Sequence, residues 1–271
     1  MNTWTRYNVK VSGRGTTPML FAHGFGCDQN MWRFITPSFE TDHKVVLFDY
    51  VGHGRSDFSA YDRTRYATLD GYADDVLRIC EELDLRDVIF VGHSVSAAIG
   101  IIAAIRQPAR FRSLILVGPS PCYINDGEYV GGFTRASIEE LLEFLDSNYL
   151  GWSSAMAPAI MGNADRPELG AELANSFCRT DPEIAKDFAR VTFLSDTRGD
   201  LPKLQVPSLI LQCSQDIIAP TAVGQYMHRK LPNSQLVILD ATGHCPHLSA
   251  PAQTVDAIKS YLSHTGNQRA R

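Results

Sequence analysis

The 271-residue sequence lacks the features that mark several large classes of protein. Its 25 Lys and Arg are outnumbered by 30 Asp and Glu, and the net charge of −5 argues against a nucleic-acid surface, which needs clustered basic residues. No run approaches the roughly 20 consecutive apolar residues that span a bilayer. Residues 1–15 lack the apolar stretch of a secretory signal. These absences predict a soluble cytoplasmic protein that binds neither nucleic acid nor membrane.

The six cysteines are too scattered for a disulfide framework, and no C-x-x-C pair occurs, so we interpret them as free thiols. One of them lies in the segment His244-Cys245-Pro246-His247, which raises the question of a metal site. Two histidines three positions apart, with a proline between them and no further clustered ligands, do not favour metal binding. The sequence therefore predicts no metal site, and no cofactor is required.

What the sequence does contain is a series of short apolar runs separated by helix-length segments. The runs are rich in Val, Ile, Leu and Phe and lie at residues 18–23, 44–49, 88–93, 113–118, 207–213 and 236–240. Runs that are apolar on both faces are typical of buried parallel strands. With helical segments between them, they predict a mostly parallel, doubly wound α/β sheet. The N-terminal segment WTRYNVKVSG alternates differently and predicts antiparallel edge strands.

The clearest helical segment between these runs is residues 68–85, whose apolar side chains fall on one face. Its acidic residues Asp74, Asp75, Glu81 and Glu82 lie mostly off that face. Paired carboxylates can do acid–base work, but this placement favours a solvated helix surface.

Residues 123–195 break the alternation, because they contain helical patterns and no strand-like run. Several of these patterns begin with Thr, Asp, Ser or Pro, which favour helix starts. We therefore divide the chain into a core of residues 1–122 and 196–271 and a helical cap of residues 123–195. A helical insertion after the carboxyl end of a strand is well placed to roof a binding crevice.

Residues 92–96, Gly-His-Ser-Val-Ser, are close to the G-x-S-x-G signature of a strand-to-helix turn that presents a nucleophilic serine. Such a turn brings helix and strand so close that bulky residues two before and two after the serine would clash. Gly92 and Ser96 hold these positions, and serine adds only a hydroxymethyl group over glycine. The pattern therefore predicts Ser94 as an exposed nucleophile.

A nucleophilic serine needs a base and an acid that orients the base, and on this scaffold they follow in the order Ser, Asp or Glu, His. Asp216 follows the run 207–213, and His244 follows the run 236–240. We predict Ser94, Asp216 and His244 as the catalytic residues. The competitors for the base are His93, His228, His247 and His264, none of which follows a late strand at a glycine-flanked tip. Asp49 also follows a strand but precedes the nucleophile.

The oxyanion of an acyl-transfer intermediate requires backbone donors. We expect these to be the N–H groups of Val95, after the nucleophile, and of Phe25, in the loop after the run 18–23. The Gly24-Phe25-Gly26 stretch is also the start of a dinucleotide fingerprint, but Gln29 stands where the third glycine would be. A nicotinamide or flavin site is therefore not favoured.

These motifs resemble those of the α/β-hydrolase superfamily. The stretches VGHSVSAAIG, HGFGCDQNMW, LFDYVGHGRSD, VGPSPCYIND, YVGGF and GHCPHLS resemble the bacterial RsbQ-type stress-response regulators and the plant karrikin and strigolactone receptors, from about residue 8 to residue 261. FDYVG, GPSPCY and LQCSQDIIAP favour the bacterial branch, whereas Ser96 matches the plant-receptor form.

The resemblance implies an α/β-hydrolase fold with an inserted helical lid, the same three catalytic residues and the same two oxyanion donors. It also implies an enclosed, mostly apolar pocket lined by Phe133, Trp152 and Phe193, for which Phe25, Tyr123 and Met156 are further candidates. The group couples binding or hydrolysis of a small hydrophobic molecule to a protein partner, which in the bacterial case is a PAS-domain phosphatase.

Three functions stay open at this point. The first is a serine hydrolase of a small hydrophobic ester or lactone, with butenolides as one candidate class, that acts in signalling. The second is a sensor that binds a ligand and turns it over only incidentally. The third is a metabolic carboxylesterase, carbon–carbon hydrolase or cofactor-free haloperoxidase. Dehalogenase and epoxide-hydrolase chemistry needs an aspartate where Ser94 stands and is disfavoured.

Overall fold

The computed structural model of the protein describes residues 2–269 and contains a seven-stranded sheet. The strands are β1 (Lys10–Ser12), β2 (Thr17–Ala22), β3 (His43–Leu47), β4 (Val88–His93), β5 (Phe111–Val117), β6 (Ser208–Gln215) and β7 (Ser234–Thr242). Their order across the sheet is β1-β3-β2-β4-β5-β6-β7. The edge strand β1 is antiparallel to β3, and the other neighbouring pairs are parallel. Each predicted apolar run coincides with one of β2 to β7, so the predicted fold class is confirmed.

Helices fill the connections between the strands. They are α1 (Thr3–Arg6), α2 (Leu69–Glu82), α3 (Val95–Arg106), α4 (Arg135–Ser147), α5 (Tyr149–Met161), α6 (Pro167–Cys178), α7 (Pro182–Phe193), α8 (Thr221–Lys230), α9 (Pro246–Ser249) and α10 (Pro251–Arg269). Among the described residues, no helix is long and apolar enough to cross a membrane.

The sheet is covered on both faces, which explains why its central strands read as continuous apolar runs. One face packs against α2 and α3 in a core that includes Tyr72, Phe90 and Ile99. The opposite face packs against α10 and the segment that holds Trp32 and Phe39. All six residues of β4 are buried. The strand that leads to Ser94 is therefore held rigidly in the middle of the molecule.

The helices α4 to α7 lie between β5 and β6 in the chain and share an apolar cluster of their own. This cap is tied to the core at the loop that follows β2. The hydroxyl of Ser176 donates to the carbonyl of Gly26 over 2.9 Å, and the Phe177 ring lies so close that a side chain at Gly26 would overlap it. Gly26 also has a φ of +66°, so both its backbone and its surroundings require glycine. The guanidinium of Arg33 adds a two-pronged ion pair to Glu172, at 2.5 and 2.7 Å.

One expectation for α2 is wrong. Asp74 is exposed as predicted, but Asp75 is fully buried and is the acceptor of a polar cluster. Its carboxylate accepts hydrogen bonds from the hydroxyls of Tyr7 (2.8 Å) and Tyr66 (2.7 Å) and pairs with Arg65 at 2.7 Å. Burial raises the pKa of the Asp75 carboxyl, and these three donors offset part of that effect. The apolar pattern did not reveal the cluster because its members come from three separate segments.

Replacement of Asp75 by alanine is expected to lower the free energy of unfolding by about 3–5 kcal/mol, because it leaves Arg65 and two buried hydroxyls without their acceptor. The matched control is Asp74→Ala on the same helix, which removes only an exposed ion pair with Arg106 and is expected to cost at most about 1 kcal/mol. Urea unfolding followed by circular dichroism measures both values. Equal losses in the two variants would contradict this account of Asp75.

A second buried polar residue, His53, is fully enclosed between the His23 ring and the Phe188 ring of the cap, with ring centroids 5.5 and 5.0 Å away. Burial lowers the pKa of His53 to about 3. The unfolded chain binds a proton at this residue near pH 6.5, whereas the folded chain does not. The stability contributed by neutral His53 is therefore complete above about pH 6.5 and is lost progressively as the pH falls towards 3.

Between pH 7 and pH 5 this residue alone is expected to account for a stability loss of about 2 kcal/mol. The variant His53→Gln should therefore lose about 2 kcal/mol less than the wild type over the same interval, as measured by urea unfolding at both pH values. His228→Gln, at an exposed position, should keep the wild-type dependence. An unchanged pH dependence in His53→Gln would refute the assignment.

Candidate active site

Ser94 occupies the sharp turn between β4 and α3. Its φ of +57° and ψ of −124° are unusual for a residue with a side chain and store strain of about 1–3 kcal/mol. The turn is possible because β4 and α3 approach closely at Gly92, where an added Cβ would lie 2.6 Å from the carbonyl oxygen of Ser96. The surrounding core holds Ser94 in this conformation. The expectation that Ser94 is exposed is wrong, because the residue is only 5% exposed and lies under the cap.

Ser96, which stands where the signature has glycine, fits in the turn without leaving a polar group unpaired. It is fully buried, and its hydroxyl donates to the backbone carbonyl of His23. The hydroxyl of Tyr50 lies 3.0 Å from the Ser96 hydroxyl oxygen. Because Ser96 already donates its proton to the His23 carbonyl, Tyr50 is the donor in this contact. Ser96 therefore connects the start of α3 to the end of β2, immediately before the loop that carries Phe25.

His244 lies in the loop after β7 and bridges the other two predicted residues. Its Nε2 is 2.8 Å from the Ser94 hydroxyl, across a separation of 150 residues in the chain. Its Nδ1 is 2.7 Å from the Asp216 carboxylate. The backbone N–H of His244 donates to the carbonyl of Ile160 in the cap helix α5 over 2.9 Å. The position of the imidazole therefore depends on both the core and the cap.

Asp216 fixes which nitrogen of His244 carries the proton. One of its oxygens accepts the backbone N–H groups of Ile218 (2.8 Å) and Ala219 (3.2 Å), while the other faces His244. A carboxylate that already accepts two backbone donors accepts a third from Nδ1–H, so Nε2 is left as an acceptor that faces the Ser94 hydroxyl. The arrangement can remove a proton from Ser94.

The competing candidates have other roles. Asp49 accepts the backbone N–H groups of Gln29 (2.8 Å) and Arg55 (3.0 Å) and so holds two loops together. The imidazole of His93 is buried, and its Nε2 lies 2.9 Å from the backbone carbonyl of His244. A carbonyl only accepts, so His93 donates from Nε2. His228 and His264 are exposed.

The two predicted oxyanion donors lie at the ends of adjacent elements. Val95 is the first residue of α3, and the first N–H groups of a helix have no partner within that helix. Phe25 follows β2, and its ring contacts the rings of Trp152, Phe177, Phe188 and Phe193 in the cap, at centroid distances of 5.8–5.9 Å. The cap thus fixes the loop to which the Phe25 N–H belongs.

A small cavity of about 30 Å³ lies between the cap and the Ser94 hydroxyl. A water molecule needs about 10–15 Å³ of such space, so the cavity has room for about two waters. Of the predicted pocket residues, Phe25, Tyr123 and Phe193 line it. Lining residues that sequence reasoning assigned neither to the pocket nor to the catalytic set are Cys27, His93, Ile160, Leu173, Phe177, Thr192, Ile218 and Cys245.

Three pocket expectations are corrected. Phe133, Trp152 and Met156 do not line the cavity, and they pack in the apolar cluster of the cap instead. Trp152 is 1% exposed and lies behind the lining, where it contacts the rings of Phe25 and Phe177. Hydrophobicity marks a residue for burial but does not say which side of the cap helix faces the cavity, so sequence patterns could not separate the two groups.

The hydroxyl of Tyr123 lies 3.4 Å from the Ser94 hydroxyl and is the only other side-chain hydroxyl that the described residues place in hydrogen-bond contact with it. Burial raises the pKa of Tyr123 to about 12, so this hydroxyl stays protonated at neutral pH. Larger concavities, such as a groove of about 590 Å³ beside Arg106 and Leu194, lie away from Ser94 and His244.

Comparisons with known proteins extend over nearly the whole chain. A family model described as "Alpha/beta hydrolase family" matches residues 19–257. Karrikin insensitive 2 receptor CA of Petunia hybrida is 38% identical over 259 residues, which cover 95% of this chain and 96% of that protein. Strigolactone esterase D14 of Arabidopsis thaliana is 40% identical over 256 residues, which cover 94% and 96%. The solved structure of a hydrolase from Oleispira antarctica has a TM-score of 0.94 at 44% identity and covers 97% of this chain and 96% of that one.

The contact between His93 and the His244 carbonyl predicts that His93 positions the His244 imidazole. The rate at which Ser94 reacts with a fluorophosphonate tests this role. His93→Leu removes the donor that holds the His244 carbonyl, so the imidazole loses its alignment with the Ser94 hydroxyl. We expect the labelling rate to fall about tenfold or more, which corresponds to about 1.4 kcal/mol in the activation barrier. In His93→Gln the side-chain amide reaches the same carbonyl and should restore most of the rate. Equal rates in His93→Leu and the wild type would exclude the positioning role.

Proposed function

The chain belongs to the alpha/beta hydrolase family, and we propose that it is a serine hydrolase of small hydrophobic esters or lactones. The observation that carries this proposal is the continuous hydrogen-bonded series from Asp216 through His244 to the Ser94 hydroxyl. The resemblance of the chain to the karrikin- and strigolactone-related group is confirmed by relatives named as a karrikin insensitive 2 receptor and a strigolactone esterase.

In the proposed first step, His244 accepts the Ser94 proton at Nε2 as the serine oxygen attacks the carbonyl carbon of the substrate. Asp216 holds the imidazole in the required tautomer and stabilises the imidazolium that forms. The backbone N–H groups of Val95 and Phe25 receive the developing negative charge on the carbonyl oxygen. When the tetrahedral intermediate collapses, His244 returns the proton to the leaving alcohol oxygen and an acyl group stays on Ser94.

In the second step, a water molecule takes the place of the alcohol. His244 removes its proton, the resulting hydroxide attacks the acyl carbon, and Ser94 leaves with the proton that His244 returns. For a lactone, the alcohol and the acid remain joined in one product. The Tyr123 hydroxyl is placed to donate a hydrogen bond to a polar atom of the substrate near the attacked carbonyl.

The lining of the cavity supports a small, uncharged substrate. Most lining side chains are apolar, so a charged substrate would lose its hydration without a partner. The cavity of about 30 Å³ has room for about two waters, whereas an ester of a few carbon atoms has more heavy atoms than that. Ile160, Leu173, Phe177 and Phe193 on its roof belong to the cap. Substrate entry therefore requires the cap helices to shift relative to Ser94.

A role in signalling is the second part of the proposal. It is supported by a receptor relative that matches 95% of this chain, cap included, and by the hydrogen bond that joins the His244 loop to α5. A protein partner that recognises the position of the cap would read out whether the cavity is filled. A PAS-domain phosphatase, as in the RsbQ-type regulators, is one candidate. A ligand-binding sensor with incidental turnover remains an alternative, as do a metabolic carboxylesterase, a carbon–carbon hydrolase and a cofactor-free haloperoxidase.

Incubation with p-nitrophenyl esters of increasing acyl length is expected to give an intact-mass increment of one acyl group, located on Ser94 by peptide mapping. Short acyl groups should react fastest because the cavity is small. Ser94→Ala should abolish the adduct, whereas Ser96→Gly, which restores the glycine of the turn signature, should retain it. A wild type that stays unmodified throughout the panel yet is stabilised by ligands in thermal unfolding would favour the sensor.

A further inference from the structure

Three side chains lie together next to His244 and take no part in the proton transfers of the proposed hydrolysis, although His93 also contacts the backbone of His244. They are His93, Cys245 and His247, which are 3%, 1% and 0% exposed. One ring nitrogen from each histidine and the Cys245 sulfur lie within 4.8 Å of one another. From the sequence, the segment His244-Cys245-Pro246-His247 predicted no metal site, because no further ligand is clustered with it. His93 is more than 150 positions away in the chain, and only β4 brings it to the same place.

The cluster contains buried polar atoms that the rest of the structure does not satisfy. Neither ring nitrogen of His247 has a hydrogen-bond partner within residues 2–269, and the same holds for Nδ1 of His93. The His247 ring packs against Trp32, with centroids 4.5 Å apart, and offers its nitrogens to no other group. Unpaired buried polar atoms cost free energy and are rare in folded proteins, so a bound species that accepts these lone pairs is indicated.

His93 is also held as a metal-binding histidine is held. Its Nε2 donates to the backbone carbonyl of His244, which leaves Nδ1 as the nitrogen with a free lone pair. Histidines that ligate metals almost always donate their other N–H to a carboxylate or a backbone carbonyl, which fixes the ring orientation and the tautomer.

We propose that His93, Cys245 and His247 bind one soft monovalent cation, Cu⁺. Thiolate and imidazole are the ligands that Cu⁺ prefers. Burial raises the pKa of the Cys245 thiol, so the S–H bond breaks only as the Cu–S bond forms, and the proton is released to solvent. One thiolate and two neutral imidazoles then give a Cu⁺ complex with no net charge, as a buried apolar site requires, whereas Zn²⁺ on the same ligands would leave one positive charge. Ligand atoms about 2.0–2.3 Å from a central ion stand about 3.5–3.8 Å apart, so the three side chains close in by about 1 Å on binding.

The ion has a path to the site, and its binding has a consequence. Cys245 lines the cavity at Ser94 and follows His244 in the chain, so an ion that enters through the cavity reaches the thiol first. A bound ion would draw the His93 ring and the His244 loop towards itself and block the floor of the cavity. Copper is therefore expected to inhibit Ser94 reversibly.

The test begins with the full-length Cys178→Ser protein, because Cys178 is an exposed thiol that would bind Cu⁺ on its own. Under anaerobic conditions with ascorbate, this protein competes for Cu⁺ with bicinchoninate. We expect one Cu⁺ per chain. In the same background, Cys245→Ala and His247→Gln should each weaken binding by about a hundredfold or more, since even loss of a group that only supports a ligand costs about 10- to 100-fold. His228→Gln, at an exposed histidine, should bind like the parent.

Copper binding that is unchanged in both Cys245→Ala and His247→Gln would overturn the proposal, as would tighter binding of Zn²⁺ than of Cu⁺ in the same competition. X-ray absorption of the copper-loaded Cys178→Ser protein identifies the ligand atoms directly and does not require any further variant to fold. One sulfur and two nitrogen ligands support the site, and any other ligand set contradicts it. These measurements contain no ester, so their outcome is independent of the proposed hydrolysis. Fluorophosphonate labelling of Ser94 should stop at one equivalent of Cu⁺ and return when a chelator removes it.

Discussion

The hydrogen bond between His244 Nε2 and the Ser94 hydroxyl is the contact on which the proposed chemistry depends. It joins residues 150 positions apart, and it forms because parallel strands bring the loops at their carboxyl ends to one edge of the sheet. Each partner is held by a different means. Ser94 is held in a strained backbone conformation by the buried β4 and α3 on either side of it. His244 is held by the Asp216 carboxylate on one side and the Ile160 carbonyl on the other.

The contact to Ile160 makes the cap part of the candidate active site as well as its roof. The cap contributes a carbonyl to the His244 loop, and its aromatic rings enclose Phe25 in the loop of the proposed oxyanion donors. A cap movement that enlarges the cavity therefore also changes the surroundings of His244 and Phe25. This arrangement gives a physical basis for a link between occupancy of the cavity and the outer surface of the cap, where a partner would bind.

The sequence was informative where a residue's role follows from local pattern. The strands, the helical insertion and the serine turn could be predicted because apolar periodicity, helix starts and glycine positions are local properties. Asp216 and His244 could be named because this scaffold places such residues after particular strands. The fit of Ser96 could be judged from side-chain size, but its bond to the His23 carbonyl could not.

Tertiary structure alone decided the contacts between distant segments. The burial of Asp75 depends on contacts with Tyr7 and Tyr66. The cluster of His93, Cys245 and His247 forms only where β4 and the His244 loop meet. The division between Phe193, which faces the cavity, and Trp152, which lies behind it, depends on the rotation of the cap helices. Hydrophobicity and spacing determine which residues are buried and in which elements, whereas the choice of neighbours is made when the elements pack in three dimensions.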